Sequence, residues 1–198
     1  IYWKNRRRVE ITLLFSFNTN SFIDNNYPLS MEIRNFQPRE YQKNILKTCK
    51  EKNTLVCIPT GLGKTKLAIL LAIEQIKKNQ LSKALILTPT KPLADQISKE
   101  FKECTDIPEN EIILLTGAIS PKKRIVLYEN STIIVATPQT IQKDLENNRI
   151  TLEKFSLLVV DECHRSRENF ANTKVANYYN QQNKDGRVLA LTASPGST

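Results

Sequence analysis

Thr54-Leu55-Val56-Cys57-Ile58-Pro59-Thr60-Gly61-Leu62-Gly63-Lys64-Thr65 is the stretch that decides the fold. Leu55 to Ile58 form an apolar, partly β-branched run that reads as a buried strand. Pro59 ends it, because proline has no N–H to give a sheet ladder. Two glycines follow, then Lys64 and Thr65, then Leu67, Ile69, Leu70 and Ile73 in a helix-like pattern. Strand, glycine loop, Lys-Thr and helix form the plan of a phosphate-binding loop. The N–H groups of residues 60–65 can face the phosphates, Lys64 can reach the β/γ oxygens, and the Thr65 hydroxyl can ligate Mg²⁺. The strict pattern Gly-x-x-x-x-Gly-Lys-Ser/Thr is not met, since Ile58 stands where its first glycine belongs. A Gly-Lys-Thr alone is also compatible with an incidental glycine turn. Its position between a strand and a helix favours binding of ATP with Mg²⁺.

The chain around this stretch has 198 residues, enough for one domain with its own core. Hydrophobic residues make up 40% and charged residues 25%, which are globular values. Lys and Arg number 29 against 20 Asp and Glu, a formal charge of +9 that suits a polyanionic partner as well as a solvated basic surface. Cys49, Cys57, Cys104 and Cys163 form no Cys-x-x-Cys pair, and His164 is the only histidine, so a Cys/His zinc site is disfavoured. No run reaches the ~20 apolar residues of a membrane span. The expectation is an intracellular, cytoplasmic protein with reduced cysteines, nucleoid-associated if the source is archaeal.

Residues 1–30 stand apart. Lys4, Arg6, Arg7 and Arg8 precede Ile11 to Phe15, and an Asn/Ser-rich stretch follows to Pro28. A signal peptide is disfavoured, because Glu10 interrupts a short apolar core and no small-residue cleavage site follows. The arginines could touch nucleic acid, but an irregular or non-native leader is the expectation, with Met31 as a plausible start. From Arg39 helix and strand patterns alternate. Helices are predicted over 39–50, 64–78, 92–103, 121–129, 138–145 and 172–179, and strands over 54–58, 84–88, 112–115, 132–136, 157–160 and 188–191. Apolar strands alternating with helices predict an α/β fold whose mainly parallel sheet is covered on both faces.

Asp161-Glu162-Cys163-His164 follows the apolar run Leu157 to Val160. An acidic pair at the end of a buried strand is costly without a cation or water to act on, and parallel sheets present ligands at that edge. Asp161 would hold Mg²⁺, and Glu162 would orient and activate the attacking water. An acidic turn after a core strand is the plainer alternative. His164 reads either as a solvated loop residue or, beside the acidic pair, as a coupling residue.

The order Pro59-Thr-Gly-Leu-Gly-Lys-Thr65, Thr88-Pro-Thr-Lys-Pro-Leu93, Thr116-Gly117, Ala136-Thr-Pro-Gln-Thr140, Asp161-Glu-Cys-His164 and Thr192-Ala-Ser194 resembles motifs I, Ia, a central Thr-Gly, Ib, II and III of superfamily 2 helicases. The resemblance covers about Phe36 to Thr198. Thr88 to Gln96, Ile134 to Leu145 and Leu191 to Thr198 resemble most closely the branch of archaeal Hef, the helicase-associated endonuclease for fork-structured DNA, and the Fanconi-anaemia M translocase. The Asp-Glu-Cys-His spelling is similar to RNA-sensing and Dicer helicases.

This resemblance implies a RecA-like P-loop NTPase fold, a three-layer sandwich over residues 31–198, and an ATP-hydrolysing, nucleic-acid-dependent helicase. It implies that Arg39 and Gln42 contact adenine, although by residue type they are simply polar positions on an amphipathic helix. It implies that Thr90, Lys91, Pro92, Thr116, Gly117, Thr137, Pro138 and Gln139 contact the phosphate backbone of one strand. Thr-Pro pairs also cap helices, and the two roles are compatible. Thr192 and Ser194 would couple the nucleotide site to that surface. A second RecA-like domain, absent from residues 1–198, would complete the motor, so these residues alone are expected to hydrolyse ATP poorly. DNA is the expected partner. The alternatives are a helicase activated by double-stranded RNA, and a non-catalytic nucleotide-gated binding module.

Overall fold

The computed structural model describes residues 10–12, 31–79, 81–165 and 170–193. Among the described residues seven strands form one sheet: β1 (Glu10–Thr12), β2 (Thr54–Cys57), β3 (Lys83–Leu87), β4 (Ile112–Leu115), β5 (Ile133–Ala136), β6 (Phe155–Val160) and β7 (Arg187–Thr192). Six α-helices connect them: α1 (Glu40–Glu51), α2 (Lys64–Lys78), α3 (Lys91–Cys104), α4 (Pro121–Asn130), α5 (Pro138–Glu146) and α6 (Ala171–Gln182). The strand order is β1-β2-β7-β6-β3-β5-β4, and every pairing is parallel. The six helices and six strands expected from Arg39 onward all form, with ends shifted by three residues at most. No element was expected before Arg39, yet Glu10–Thr12 pairs with Thr54–Val56. The rest of the leader lies outside the described residues.

The sheet is buried on both faces because alternate residues of each strand enter different cores. Val56, Ala84, Ile86, Ile133, Val135, Leu157, Val159, Leu189 and Leu191 pack with α1, α2 and α3. Leu85, Leu87, Ile134, Ala136, Leu158, Val160, Val188 and Ala190 pack with residues of α4, α5 and α6. This is the parallel sheet covered on both faces that the alternation predicted, in the three-layer RecA-like arrangement that the resemblance implied. α2 is its central helix, with Leu67 through Ile73 all buried, so its start is fixed against the sheet. Each buried Leu or Ile contributes about 1.5–3 kcal/mol.

Several polar devices fix the helix ends. Lys83 Nζ donates to the carbonyls of Tyr128, Glu129 and Ser131, placing a cation on the C-terminal end of α4. Tyr179 is 1% exposed, and its hydroxyl donates to the Phe155 carbonyl at 2.9 Å. A Cβ on Gly186, just before β7, would stand 2.0 Å from that hydroxyl oxygen and 3.0 Å from Asn183 Cγ. Tyr179 has no open side to retreat to. Gly186→Ala is therefore expected to destabilise the fold by about 1–3 kcal/mol or more, read from urea midpoints. A midpoint unchanged from wild type would show that this packing is loose.

Candidate active site

The central strands end in register. Leu115, Ala136, Leu87, Val160 and Ala190 lie in one row across β4, β5, β3, β6 and β7. Thr116, Thr137, Thr88 and Asp161 therefore leave the sheet at one level. β2 and β7 run further, pairing Cys57 with Thr192, and Ile58 N–H extends this pairing to the Thr192 carbonyl at 3.1 Å. The phosphate loop, the acidic turn and the segments at Thr88, Thr116 and Thr137 all follow strands at this C-terminal edge, where parallel α/β sheets hold ligands.

The loop from Thr60 to Thr65 turns by means of its glycines. Gly61 and Gly63 have φ of 83° and 73°, left-handed values that favour glycine. A Cβ on Gly63 would also lie 2.8 Å from Gln42 Nε2. Gly63 caps α2, so the first N–H groups of that helix open toward the loop. Thr60, Gly61 and Leu62 are exposed, and Lys64 and Thr65 are partly buried. Lys64 Nζ lies 3.4 Å from the Ile58 carbonyl, a long contact that a phosphate would readily replace.

α1 braces this loop in a way the sequence did not disclose. The Tyr41 hydroxyl donates to the Leu62 carbonyl at 2.5 Å. Gln42 Nε2 donates to the Gly63 carbonyl at 3.2 Å, while Gln42 Oε1 accepts from the Arg39 N–H at 2.9 Å. Gln42 is 3% exposed, so in this arrangement its amide holds the loop and the start of α1. The amide keeps one N–H and one oxygen lone pair outside these two bonds, so they do not bar it from adenine. The bracing role of Tyr41 is not legible in the sequence, because a hydroxyl aimed at a carbonyl 21 residues away leaves no periodic signal.

The acidic pair stands beside this loop. Asp161 N–H donates to the Leu87 carbonyl at 2.9 Å, anchoring the turn to β3. Burial pushes the Asp161 carboxyl above its ordinary range and the Glu162 carboxylate adds to the rise, with Lys64 and His164 opposing. Glu162 has φ of 50°, a left-handed conformation uncommon for a residue with a Cβ. Its carboxylate lies 3.2 Å from His164 Nδ1, which is 2.9 Å from the Thr192 hydroxyl. Glu162, His164 and Thr192 thus form a continuous polar path from the acidic turn to β7. Ser194 lies outside the described residues. Burial raises the Cys163 thiol to about 12, so it stays protonated at neutral pH and is no nucleophile.

The donor set fits a magnesium nucleotide. Among the described residues no group of three or more His, Cys, Asp or Glu gathers around a metal position. A cation at Thr65 and Asp161 would take its remaining ligands from water and phosphate, as Mg²⁺ does. The buried Asp161 charge has a stability consequence. A carboxyl whose folded pKa lies above its unfolded value of ~3.9 costs stability above that pH, where it must ionise in the fold. Asp161→Asn is expected to raise the melting temperature of the nucleotide-free protein at pH 7. The difference should vanish as the pH falls below about 4, where both side chains are neutral. A lower melting temperature at pH 7 would contradict this.

Of the segments expected to contact a nucleic-acid strand, two occupy helix starts. Thr90 caps α3, its hydroxyl accepting from the Leu93 N–H at 3.5 Å, with Lys91 and Pro92 in the first turn. Thr137 caps α5 and shares a 2.9 Å hydrogen bond with the Thr140 hydroxyl. Pro138 is buried, and Thr90, Lys91, Pro92, Gly117 and Gln139 are exposed. Thr116 is 8% exposed, so its side chain is turned inward and the accessible part of that turn is Gly117.

The fold and the content of this edge agree with known proteins. A model of the DEAD/DEAH box helicase family matches residues 39–198. The chain belongs to that family. Among solved structures, the helicase domain of Pyrococcus furiosus Hef matches this DEAD/DEAH domain with a TM-score of 0.79 and 46% identity, over 81% of this chain and 34% of that one. A Methanocaldococcus jannaschii protein, provisionally named an ATP-dependent RNA helicase, is 40% identical over 164 residues, 83% of this chain and 21% of that protein. The ATP-dependent DNA helicase mph1 of Neurospora crassa is 38% identical over 160 residues, 81% of this chain and 14% of that protein. The similarity to Hef agrees with the branch read from Thr88 to Gln96 and Ile134 to Leu145. The chain therefore spans a minor part of the curated relatives it matches. No helix among the described residues is long and apolar enough to cross a membrane.

Proposed function

We propose that this chain is the ATP-binding half of an ATP-dependent DNA helicase or translocase acting on branched or fork-structured DNA in repair. One observation carries the reading. The phosphate loop, the acidic pair and the Thr90, Gly117 and Thr137 segments share the C-terminal edge of one parallel sheet. Nucleotide chemistry and strand contact can then act on each other across a few side chains.

In this mechanism the N–H groups of residues 61–65 and Lys64 hold the β- and γ-phosphates of ATP, and Thr65 and Asp161 hold Mg²⁺. When bound, the cation would neutralise charge on the phosphate oxygens. Glu162 orients a water and accepts its proton as the water oxygen bonds to the γ-phosphorus. The bond from that phosphorus to the β–γ bridging oxygen breaks, leaving ADP and inorganic phosphate. His164, between Glu162 and Thr192, passes a change at the acidic turn to β7. Thr90, Lys91, Gly117, Thr137 and Gln139 hold one strand by its phosphates, through hydroxyl and backbone N–H groups that read no base. A second RecA-like domain of the full-length chain closes the cleft and contributes an arginine, worth ~10³–10⁵ in rate in other NTPases. The protein works inside the cell, with its cysteines reduced.

A second reading, a helicase activated by double-stranded RNA, is supported by the Asp-Glu-Cys-His spelling and by the name of the Methanocaldococcus relative. Stimulation of ATP turnover by the full-length protein separates the two. Forked DNA is expected to stimulate, and an excess of double-stranded RNA is expected to compete weakly. Stimulation by RNA alone would overturn the DNA reading, and an absence of turnover with either would favour a nucleotide-gated binding module.

A further inference from the structure

α4 and α5 are joined by a buried ionic knot that neither the nucleotide chemistry nor the strand contacts use. Asp144, on α5, is 0% exposed and Arg124, on α4, is 5% exposed. Arg124 Nε donates to Asp144 Oδ2 at 2.6 Å and Nη2 donates to Oδ1 at 2.7 Å, a bidentate pair. The Tyr128 hydroxyl donates to the same carboxylate at 2.7 Å and Arg149 Nη1 at 3.1 Å. Burial alone would push the Asp144 carboxyl up, but the bonds from Arg124, Tyr128 and Arg149 outweigh it and hold the group below its ordinary range.

The remaining arm of Arg124 is the informative one. Nη1 donates to the Ile119 carbonyl. Ile119 N–H in turn closes a turn onto the Thr116 carbonyl at 3.1 Å. The Thr116-Gly117 turn is therefore tied through one guanidinium to the helix that begins at Thr137. Apolar residues filling the same space would join α4 to α5 as firmly, often at no loss of stability. They could not reach the Ile119 carbonyl, so helix packing alone does not call for an arginine here.

We infer that Arg124 and Asp144 are positioning residues that set the spacing between the Thr116-Gly117 turn and the Thr137–Gln139 segment, so that both meet successive phosphates of one bound strand. A phosphate-binding surface made of separate loops works only at fixed separations, since a misplaced contact is lost outright. This inference rests on the strand-binding role proposed above for those two segments.

The test uses the full-length protein, a forked DNA probe, and two measurements: DNA affinity by fluorescence anisotropy and ATP affinity without DNA. Arg124→Lys keeps the charge but cannot pair bidentately while also reaching Ile119. The triple variant Arg124→Met/Asp144→Leu/Tyr128→Phe, in which no buried hydroxyl loses its acceptor, refills the space with apolar side chains and restores packing without the tether. Both are expected to fold, to bind ATP as wild type does, and to lose about tenfold or more in DNA affinity. The triple variant discriminates, because a purely structural knot would be rescued by it. Wild-type DNA affinity in a folded triple variant would overturn the inference. Should the triple variant fail to fold, wild-type DNA affinity in Arg124→Lys would do the same. Thr137→Ala/Gln139→Ala serves as the control. If it leaves DNA affinity unchanged, the strand-binding reading has failed; if it weakens binding while the Arg124 variants do not, only the positioning inference has.

Discussion

Full-length protein carrying Glu162→Gln will bind ATP and Mg²⁺ and fail to turn the nucleotide over. The substitution keeps the shape of the side chain and the left-handed backbone at that position, where φ is 50°. It removes the carboxylate that would accept the proton of the attacking water. General-base contributions run to ~10²–10⁴ in rate, and a loss in that range is expected in single-turnover hydrolysis. ATP affinity should stay within a few-fold of wild type, because Lys64, Thr65 and Asp161 are untouched. The 3.2 Å contact between Glu162 and His164 weakens as well, so residual turnover should respond less to DNA. Hydrolysis at the wild-type rate would remove Glu162 from the mechanism.

Lys64→Ala acts one step earlier, with lost nucleotide affinity as the expected result. In the present arrangement the ammonium group meets the Ile58 carbonyl at 3.4 Å and offsets the Asp161 carboxylate, so its removal should lower the melting temperature modestly at pH 7 without preventing folding. A charged hydrogen bond to phosphate contributes about 1.5–3 kcal/mol, which corresponds to roughly 10- to 100-fold in the dissociation constant. Titration with a fluorescent ATP analogue gives the number directly. Undiminished affinity in a folded variant would refute the assignment of residues 60–65 as the phosphate loop.

The two predictions differ in how far sequence alone supports them. Lys64 and Thr65 were legible because the chemistry is local: glycines for the turn, a lysine and a hydroxyl at fixed offsets, a strand before and a helix after. Asp161 and Glu162 were legible because two charges directly after four consecutive apolar residues are costly unless a cation or water meets them. The six strands from Thr54 onward were legible for a related reason, since strands buried on both faces are continuous apolar runs. Gln42 shows the limit. Its place on an amphipathic helix was clear, but its amide turned out to face the Gly63 carbonyl, and no local pattern carries a contact spanning 21 residues. Nothing in the sequence marks Arg124 and Asp144 as partners, and only the packing of α4 beside α5 makes them a buried pair.

By itself, the sequence determined the alternation of strand and helix, the phosphate loop, the acidic pair and the family to which the chain belongs. Each element and motif depends on residues close in the chain, where backbone sterics and hydrogen-bonding capacity act directly, and the family follows from the order of those local motifs. The tertiary structure alone decided the strand order, the common level at which Thr88, Thr116, Thr137 and Asp161 leave the sheet, the bracing of the loop by Tyr41 and Gln42, and the tie from Arg124 to Ile119. Those depend on which apolar faces pack together, and burial is satisfied by the whole sheet at once, not by any one segment of the chain.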